Sequence, residues 1–284
     1  VTDQAATLRV LRGGKTDAPP NRRSIAVSGG KGGVGKSTIA LNLAIAYAQA
    51  GAATLMVDTD LGMADLNLLL GVAPERSLLD ALGGIPVEDI LVEAHGIKLL
   101  PALNGSYLLS TIGPAAQRRI LEMVASLANQ FETLVVDVAA GIGQSQTTFA
   151  GAASDTVVVV NPEPLSMADA YACLKVLATE QKVRHAFIVP NRVTSRAQAD
   201  ELTARLGALV TRFLDLEITA LPPIPADPTV VEAAQIGVPL MVHAPDAPAA
   251  RAIRQLTRAL ATLAPSTPAT WWRNPNARAQ GESR

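Results

Sequence analysis

From about residue 24 to about residue 264 the chain alternates between two hydrophobic patterns. Short continuous aliphatic runs at 24–28, 54–57, 97–100, 133–136, 156–160 and 186–189 predict strands, because a run that is apolar on both faces needs cover on both. The stretches between them carry apolar residues at helical spacing, most clearly 38–50, closed by Gly51, and 114–129. The alternation predicts an α/β fold, a mostly parallel twisted sheet with helices on both faces. In such a sheet ligands bind beyond the carboxyl ends of the strands. A last helix, about 249–263, sets Ile253, Leu256, Leu260 and Leu263 on one face and Arg251, Arg254 and Arg258 elsewhere. That pattern suits a membrane surface or, as we read it, a terminal helix packed on the domain.

Both ends depart from this rhythm. Residues 1–22 form a polar leader, in which 3–11 has the length of two helical turns before Gly13-Gly14 and Pro19-Pro20 break the pattern. Residues 265–284 hold Pro265, Pro268 and Pro275 and no periodicity, which predicts an irregular tail. Within it, Trp271-Trp272-Arg273 has the composition of an interfacial anchor. The expected division is therefore a leader (1–22), one domain (23–264) and a tail (265–284).

Composition narrows the chemistry. Hydrophobic residues make up 49 % of the 284 but aromatic ones only 3 %, so the core must be aliphatic and rich in alanine. A net charge of −1 gives no global attraction to nucleic acid or anionic lipid, and no specific nucleic acid partner is expected. The single cysteine, Cys173, excludes an internal disulfide and a multi-cysteine metal site within one chain, and its apolar surroundings predict a buried thiol. The first fifteen residues lack an apolar core of the signal-peptide kind, and no run is long enough to span a bilayer. A cytoplasmic protein is expected.

One segment carries a specific chemistry. Gly30-Lys31-Gly32-Gly33-Val34-Gly35-Lys36-Ser37 fits the phosphate-binding pattern G-x-x-x-x-G-K-[ST], with a strand before it and a helix after it. The glycines let successive N–H groups turn toward phosphate oxygens, and the helix N-terminus adds partial positive charge at the same place. Lys36 is expected on the β- and γ-phosphates, the Ser37 hydroxyl on Mg²⁺ and Thr38 by the α-phosphate. Leu134-Val135-Val136-Asp137 is an apolar strand ending in a carboxylate, which suits Asp137 to hold a Mg²⁺-bound water. Aspartates are also common as turn formers at strand ends, and Lys31 taken alone is an ordinary surface cation.

The string from Ser28 to Thr38 resembles the deviant Walker A box of the MinD/ParA family. The resemblance implies a MinD-like P-loop ATPase that uses ATP and Mg²⁺, in which Lys31 reaches the ATP of a second subunit. ATP then holds a homodimer together and hydrolysis releases it. The physical logic is that a second cation neutralises phosphate charge only when two subunits meet. Val57-Asp58-Thr59-Asp60 resembles the family's first switch, with Asp60 orienting the attacking water or accepting its proton and Asp58 in the outer shell of Mg²⁺.

Further segments resemble the FlhG (FleN) flagellar-number ATPases. These are 60–71, the second switch from Asp137 to Ile142, and Asn161-Pro162-Glu163-Pro164 with the helix after it. Asn191-Arg192-Val193 is similar to their adenine-contacting turn, which implies that Asn191 reads the base. Ile224-Pro225-Ala226-Asp227 resembles their second adenine-side loop, which brings in Pro225 and Asp227. In the leader, Asp3, Gln4, Ala5, Leu8 and Arg9 match a D-Q-A-x-x-L-R element that in this family stimulates an FlhF-like GTPase of the signal-recognition-particle type. A flagellar switch (C-ring) protein, a flagellar transcription regulator and weak membrane attachment complete the implied partners. Val138 and Ala139 depart from the hydroxyl and glycine expected after Asp137. MinD-type division and ParA-type partition ATPases share the nucleotide motif, and a scaffold that binds ATP without hydrolysing it is a further alternative. An iron–sulfur carrier is disfavoured, since one cysteine per chain cannot supply two ligands to a shared cluster.

Overall fold

Side chains alternate across a strand, so the central strands feed two cores at once. The structure, a computed structural model, describes residues 22–60, 65–102 and 114–266. Its strands are β1 (Arg23–Ser28), β2 (Thr54–Asp58), β3 (Val92–Ala94), β4 (Ile97–Leu100), β5 (Thr133–Asp137), β6 (Asp155–Val160), β7 (His185–Val193), β8 (Glu217–Ala220) and β9 (Ile224–Pro225). They form one sheet in the order β3-β4-β2-β5-β1-β6-β7-β8, with β9 pairing the far end of β7. All pairings are parallel except that of β3 with β4. The expected fold class is borne out.

The six expected strands are present with small shifts. β6 begins one residue early, at Asp155, and β7 runs on through Pro190 to Val193. β3, β8 and β9 are additions: β3 and β8 are short, partly exposed strands toward the two ends of the sheet, and β9 has two residues.

Helices cover both faces. In chain order they are α1 (Lys36–Gln49), α2 (Leu66–Leu70), α3 (Leu78–Leu82), α4 (Pro114–Ala128), α5 (Gln144–Gly151), α6 (Pro164–Glu180), α7 (Arg196–Phe213), α8 (Pro228–Gln235), α9 (Leu240–His243) and α10 (Pro248–Thr262). Ala26, Leu134 and Val136 face a core shared with α4, α6 and α7, while Ile25, Val27 and Val135 face the opposite core under α1 and α10. Cys173 of α6 is buried, as expected. Helix α10 packs on the domain through Ile253, Leu256 and Leu260, whereas Leu263 falls beyond the helix end and is 39 % exposed. Among the described residues no helix is long and apolar enough to cross a membrane.

The amino ends of the strands are stapled by a buried ion pair. Arg23 Nε donates to Asp155 Oδ2 at 2.7 Å, and the same guanidinium donates to the carbonyls of Leu260 and Leu263 at the end of α10. Asp155 Oδ1 accepts from the backbone N–H of Ser266 at 2.9 Å. Asp3, Gln4, Leu8 and Arg9 of the leader lie outside the described residues, as does the tail from residue 267 with its two tryptophans.

Candidate functional site

The glycine-rich loop connects β1, at the middle of the sheet, to α1. Gly35 caps α1 with a φ of +98°, a conformation that L side chains rarely adopt. Gly30 is required for a different reason: a Cβ there would lie 2.0 Å from the Asp169 carbonyl oxygen, so α6 presses directly on the loop.

The two lysines of the loop go opposite ways. Lys36 is 6 % exposed, and its ammonium folds back to donate to the Lys31 carbonyl at 3.1 Å. Burial lowers its pKa, opposed by the charges of Asp137 and Asp60. Lys31 instead sends its ammonium to Glu163 Oε2, 3.8 Å away at the start of α6, and both side chains stay well exposed. Glu163 lay in a segment singled out by sequence but had no role assigned to it.

Two of the expected carboxylates meet beside Lys36. Asp58 ends β2 and Asp137 ends β5, and the parallel register pairs them directly. Burial pushes the Asp137 carboxyl up to about 7, against a Ser37 hydrogen bond and the Lys36 charge. Burial and then the charge of Asp137 hold Asp58 well above the usual carboxylate range, although it accepts from the Asp60 N–H at 2.9 Å. Thr59 contributes unexpectedly: its backbone N–H and its hydroxyl both donate to the Asp137 carbonyl, at 3.1 and 2.7 Å, fixing the first switch to the β5 end. Asp137 Oδ1 is buried and has no hydrogen-bond partner among the described residues. A buried acidic pair with an orphan oxygen next to a serine hydroxyl fits a hard divalent cation held by oxygen ligands. Ser37 and Asp137 would hold it, with Asp58 behind them.

From the start of α1 a cleft of about 250 Å³ leads away between β7, β9 and α8. Thr38, Asn191, Pro225 and Asp227 all line it, beside the apolar Val230 and Ile253. Asn191 is buried, and its side-chain amide donates to the Val34 carbonyl at 2.8 Å. Asp227 caps α8 by accepting from the Thr229 N–H and hydroxyl, and its other oxygen accepts from Ala249 N–H in α10. Its oxygens are thus engaged in shaping the cleft. Arg192, quoted in the sequence only as part of a turn, also lines the cleft, with a φ of +56°.

The arrangement is that of a nucleotide site, with a phosphate cradle at one end, a cation corner beside it and an apolar cleft beyond. A model of the ParA family, described as the NUBPL iron-transfer P-loop NTPase, matches residues 21–261. The chain belongs to the ParA family of P-loop NTPases. The antiactivator FleN of Pseudomonas aeruginosa is 36 % identical to it over 213 residues, which cover 74 % of this chain and 76 % of FleN. The flagellum site-determining protein YlxH of Helicobacter pylori is 32 % identical over 192 residues, 67 % of this chain and 65 % of YlxH. Among solved structures, the septum site-determining protein MinD of Pyrococcus horikoshii, complexed with Mg-ADP, superposes with a TM-score of 0.72 at 25 % identity, covering 84 % of this chain and 96 % of MinD. The ParA-family fold thus spans β1 to α10, and the resemblance to the flagellar ATPases is borne out by FleN and YlxH.

Proposed function

We propose that this chain is a FleN/FlhG-type Mg²⁺-dependent ATPase that dimerises on ATP and regulates flagellar number and placement. The observation that carries the reading is the divergence of the two lysines. Lys36 is buried in its own cradle, whereas Lys31 leaves that cradle for Glu163 on the surface, beside the exposed Leu165. A cation presented outward on a phosphate loop is placed to neutralise another subunit's phosphates.

In the reaction, water attacks the γ-phosphorus, the bond to the β-γ bridging oxygen breaks, and ADP leaves with the bonding electrons. Lys36 and the N–H groups from Gly30 to Thr38 bind the phosphates, Asn191 and Pro225 border the base, and Asp60 orients the water. Mg²⁺ held by Ser37 and Asp137 would neutralise charge on the β- and γ-oxygens. Lys31 of a second copy would complete the clamp. The iron-transfer description of the family model is not carried over, because the single thiol, Cys173, is buried.

Analytical ultracentrifugation of the Asp60→Ala chain with Mg-ATP tests the switch. A dimer is expected, and Lys31→Ala should remove it while some nucleotide binding remains. Lys36→Ala should lose nucleotide affinity itself. A monomer at tens of micromolar would contradict an interface of ordinary size. Single-turnover ATP hydrolysis separates an ATPase from a scaffold: a parent chain that binds ATP yet releases no more phosphate than Asp60→Ala would be the scaffold.

A further inference from the structure

We infer that residues 269–274 add a further strand along the free edge of β8, with Trp271 and Trp272 seated on its opposite faces. This placement is independent of the nucleotide site.

Among the described residues β8 is paired on one side only, by β7. Glu217 and Leu221 donate their N–H groups to the carbonyls of Arg184 and Ile188, both at 2.9 Å. Alternate residues of a strand point their backbone groups to the same side, so Ile218 and Ala220 present theirs to the open edge. An edge of this kind invites one more strand. A groove of about 700 Å³ runs along it, lined on one face by Leu214, Leu216 and Ile218 and on the other by His185 and Thr219.

The path of the described chain leads there. After α10 it passes under the feet of the strands in the order in which the sheet sets them. The Leu260 and Leu263 carbonyls lie on Arg23 of β1, the Ser266 N–H on Asp155 of β6, and the Ser266 hydroxyl 2.7 Å from His185 Nδ1 of β7. β8 is next in that order, and His185 Nε2 already reaches its Thr219 hydroxyl at 2.8 Å. Four extended residues after Ser266 cover about 13 Å, more than the two spacings of about 4.8 Å that separate β7 from a strand beyond β8. Between Pro268 and Pro275 every residue has an N–H to donate, and Thr270, Trp271 and Trp272 are good strand formers. Successive side chains of a strand point to opposite faces, so two adjacent tryptophans supply one indole to each wall of the groove. Each can bury about 150–250 Å² there.

Trp271 and Trp272 are the only tryptophans of the chain, so its indole fluorescence reads this segment alone. In the full-length parent the emission is expected to be blue-shifted from that of N-acetyltryptophanamide, with acrylamide quenching several-fold weaker, and to stay so on dilution. Ile218→Asp, which puts a charge on the groove wall, should return both readings to the free values while circular dichroism shows a folded chain. Amide hydrogen exchange leaves the groove unaltered. In full-length Trp271→Ala/Trp272→Ala, the Ile218 and Ala220 amides should exchange at least about tenfold faster than in the parent, and the Glu217 amide, which faces β7, at the parent's rate. Three results would each overturn the inference. One is parent emission and quenching equal to those of the free amide. Another is a blue shift that appears only with phosphatidylglycerol–phosphatidylcholine vesicles, or that is lost on dilution, since the indoles would then meet lipid or a second copy. The third is equal exchange of Ile218 and Ala220 in the parent and the double variant.

Discussion

The side-chain amide of Asn191 donates to the backbone carbonyl of Val34 across 2.8 Å, tying β7 to the phosphate loop. Its Nδ2 also lies only 2.6 Å from where a Cβ on Gly35 would be. The end of β7 and the phosphate loop are therefore tied together, and Asn191 keeps its oxygen and its second N–H for a ligand. Asn191→Ala should loosen the loop, strand a buried carbonyl and weaken ATP by about tenfold, equivalent to one good hydrogen bond. Tripolyphosphate, which never reaches the base, should weaken as well. Titration with both ligands checks this, and an effect confined to ATP would show that Asn191 serves the base alone.

The buried acids make the nucleotide-free protein pH-sensitive. Asp137 ionises near 3.8 when unfolded but is pushed up to about 7 by burial in the fold. Between those values the native state holds more protons than the unfolded one, so stability falls as pH rises from about 4 to about 7. Asp58, also held high, acts in the same sense. Asp137→Asn should flatten part of this slope and be more stable than the parent at pH 8 without nucleotide, while losing Mg²⁺-dependent binding. Urea unfolding at pH 5 and pH 8 reads the difference, and a parent more favoured over the variant at pH 8 than at pH 5 would refute it.

The Arg23–Asp155 pair should be the costliest polar contact to break from one side. Both side chains are almost wholly buried, so Asp155→Ala leaves an uncompensated guanidinium and should cost about 3–5 kcal/mol. Replacing both residues by apolar ones of similar volume should cost less than the single change. Denaturant midpoints of the single and double variants test the ordering.

A peptide of residues 1–22 should raise GTP turnover by an FlhF-like GTPase in the absence of the rest of the chain. The grounds are the sequence match at Asp3, Gln4, Leu8 and Arg9 and the Gly/Pro stretch that follows. The four-residue spacing would put Gln4 and Leu8 one turn apart in a helix, so that Leu8 would dock while Gln4 enters the partner's site. Gln4→Ala should abolish the stimulation and leave ATP binding by the parent protein intact. A peptide without effect on the cognate GTPase would remove the leader's proposed role.

The parts legible in sequence were those whose cause is local. The phosphate loop announces itself because its glycines answer to backbone geometry within eight residues, and β1, β2, β5 and β6 because burial on both faces needs unbroken aliphatic runs. What escaped depends on partners distant in the chain. β8 reads Glu-Ile-Thr-Ala and becomes a strand only because β7 offers an edge. β7 was cut short at Pro190, since a proline and then an asparagine look like a loop until Asn191 finds Val34, 157 positions away. The left-handed backbone of Arg192 goes with a register shift against β9, which no local pattern encodes.

Because Arg23 and the Ser266 N–H share the carboxylate of Asp155, the two ends of the domain are neighbours. A short linker should therefore be able to close the chain at this point. A circular permutant that joins Ser266 to Arg22 through a short Gly/Ser linker, and opens the chain in the exposed Gly83-Gly84 turn between α3 and β3, should keep every strand pairing described above. It would put both new termini away from Asp155, turning the stapled foot of the sheet into a seamless part of the chain.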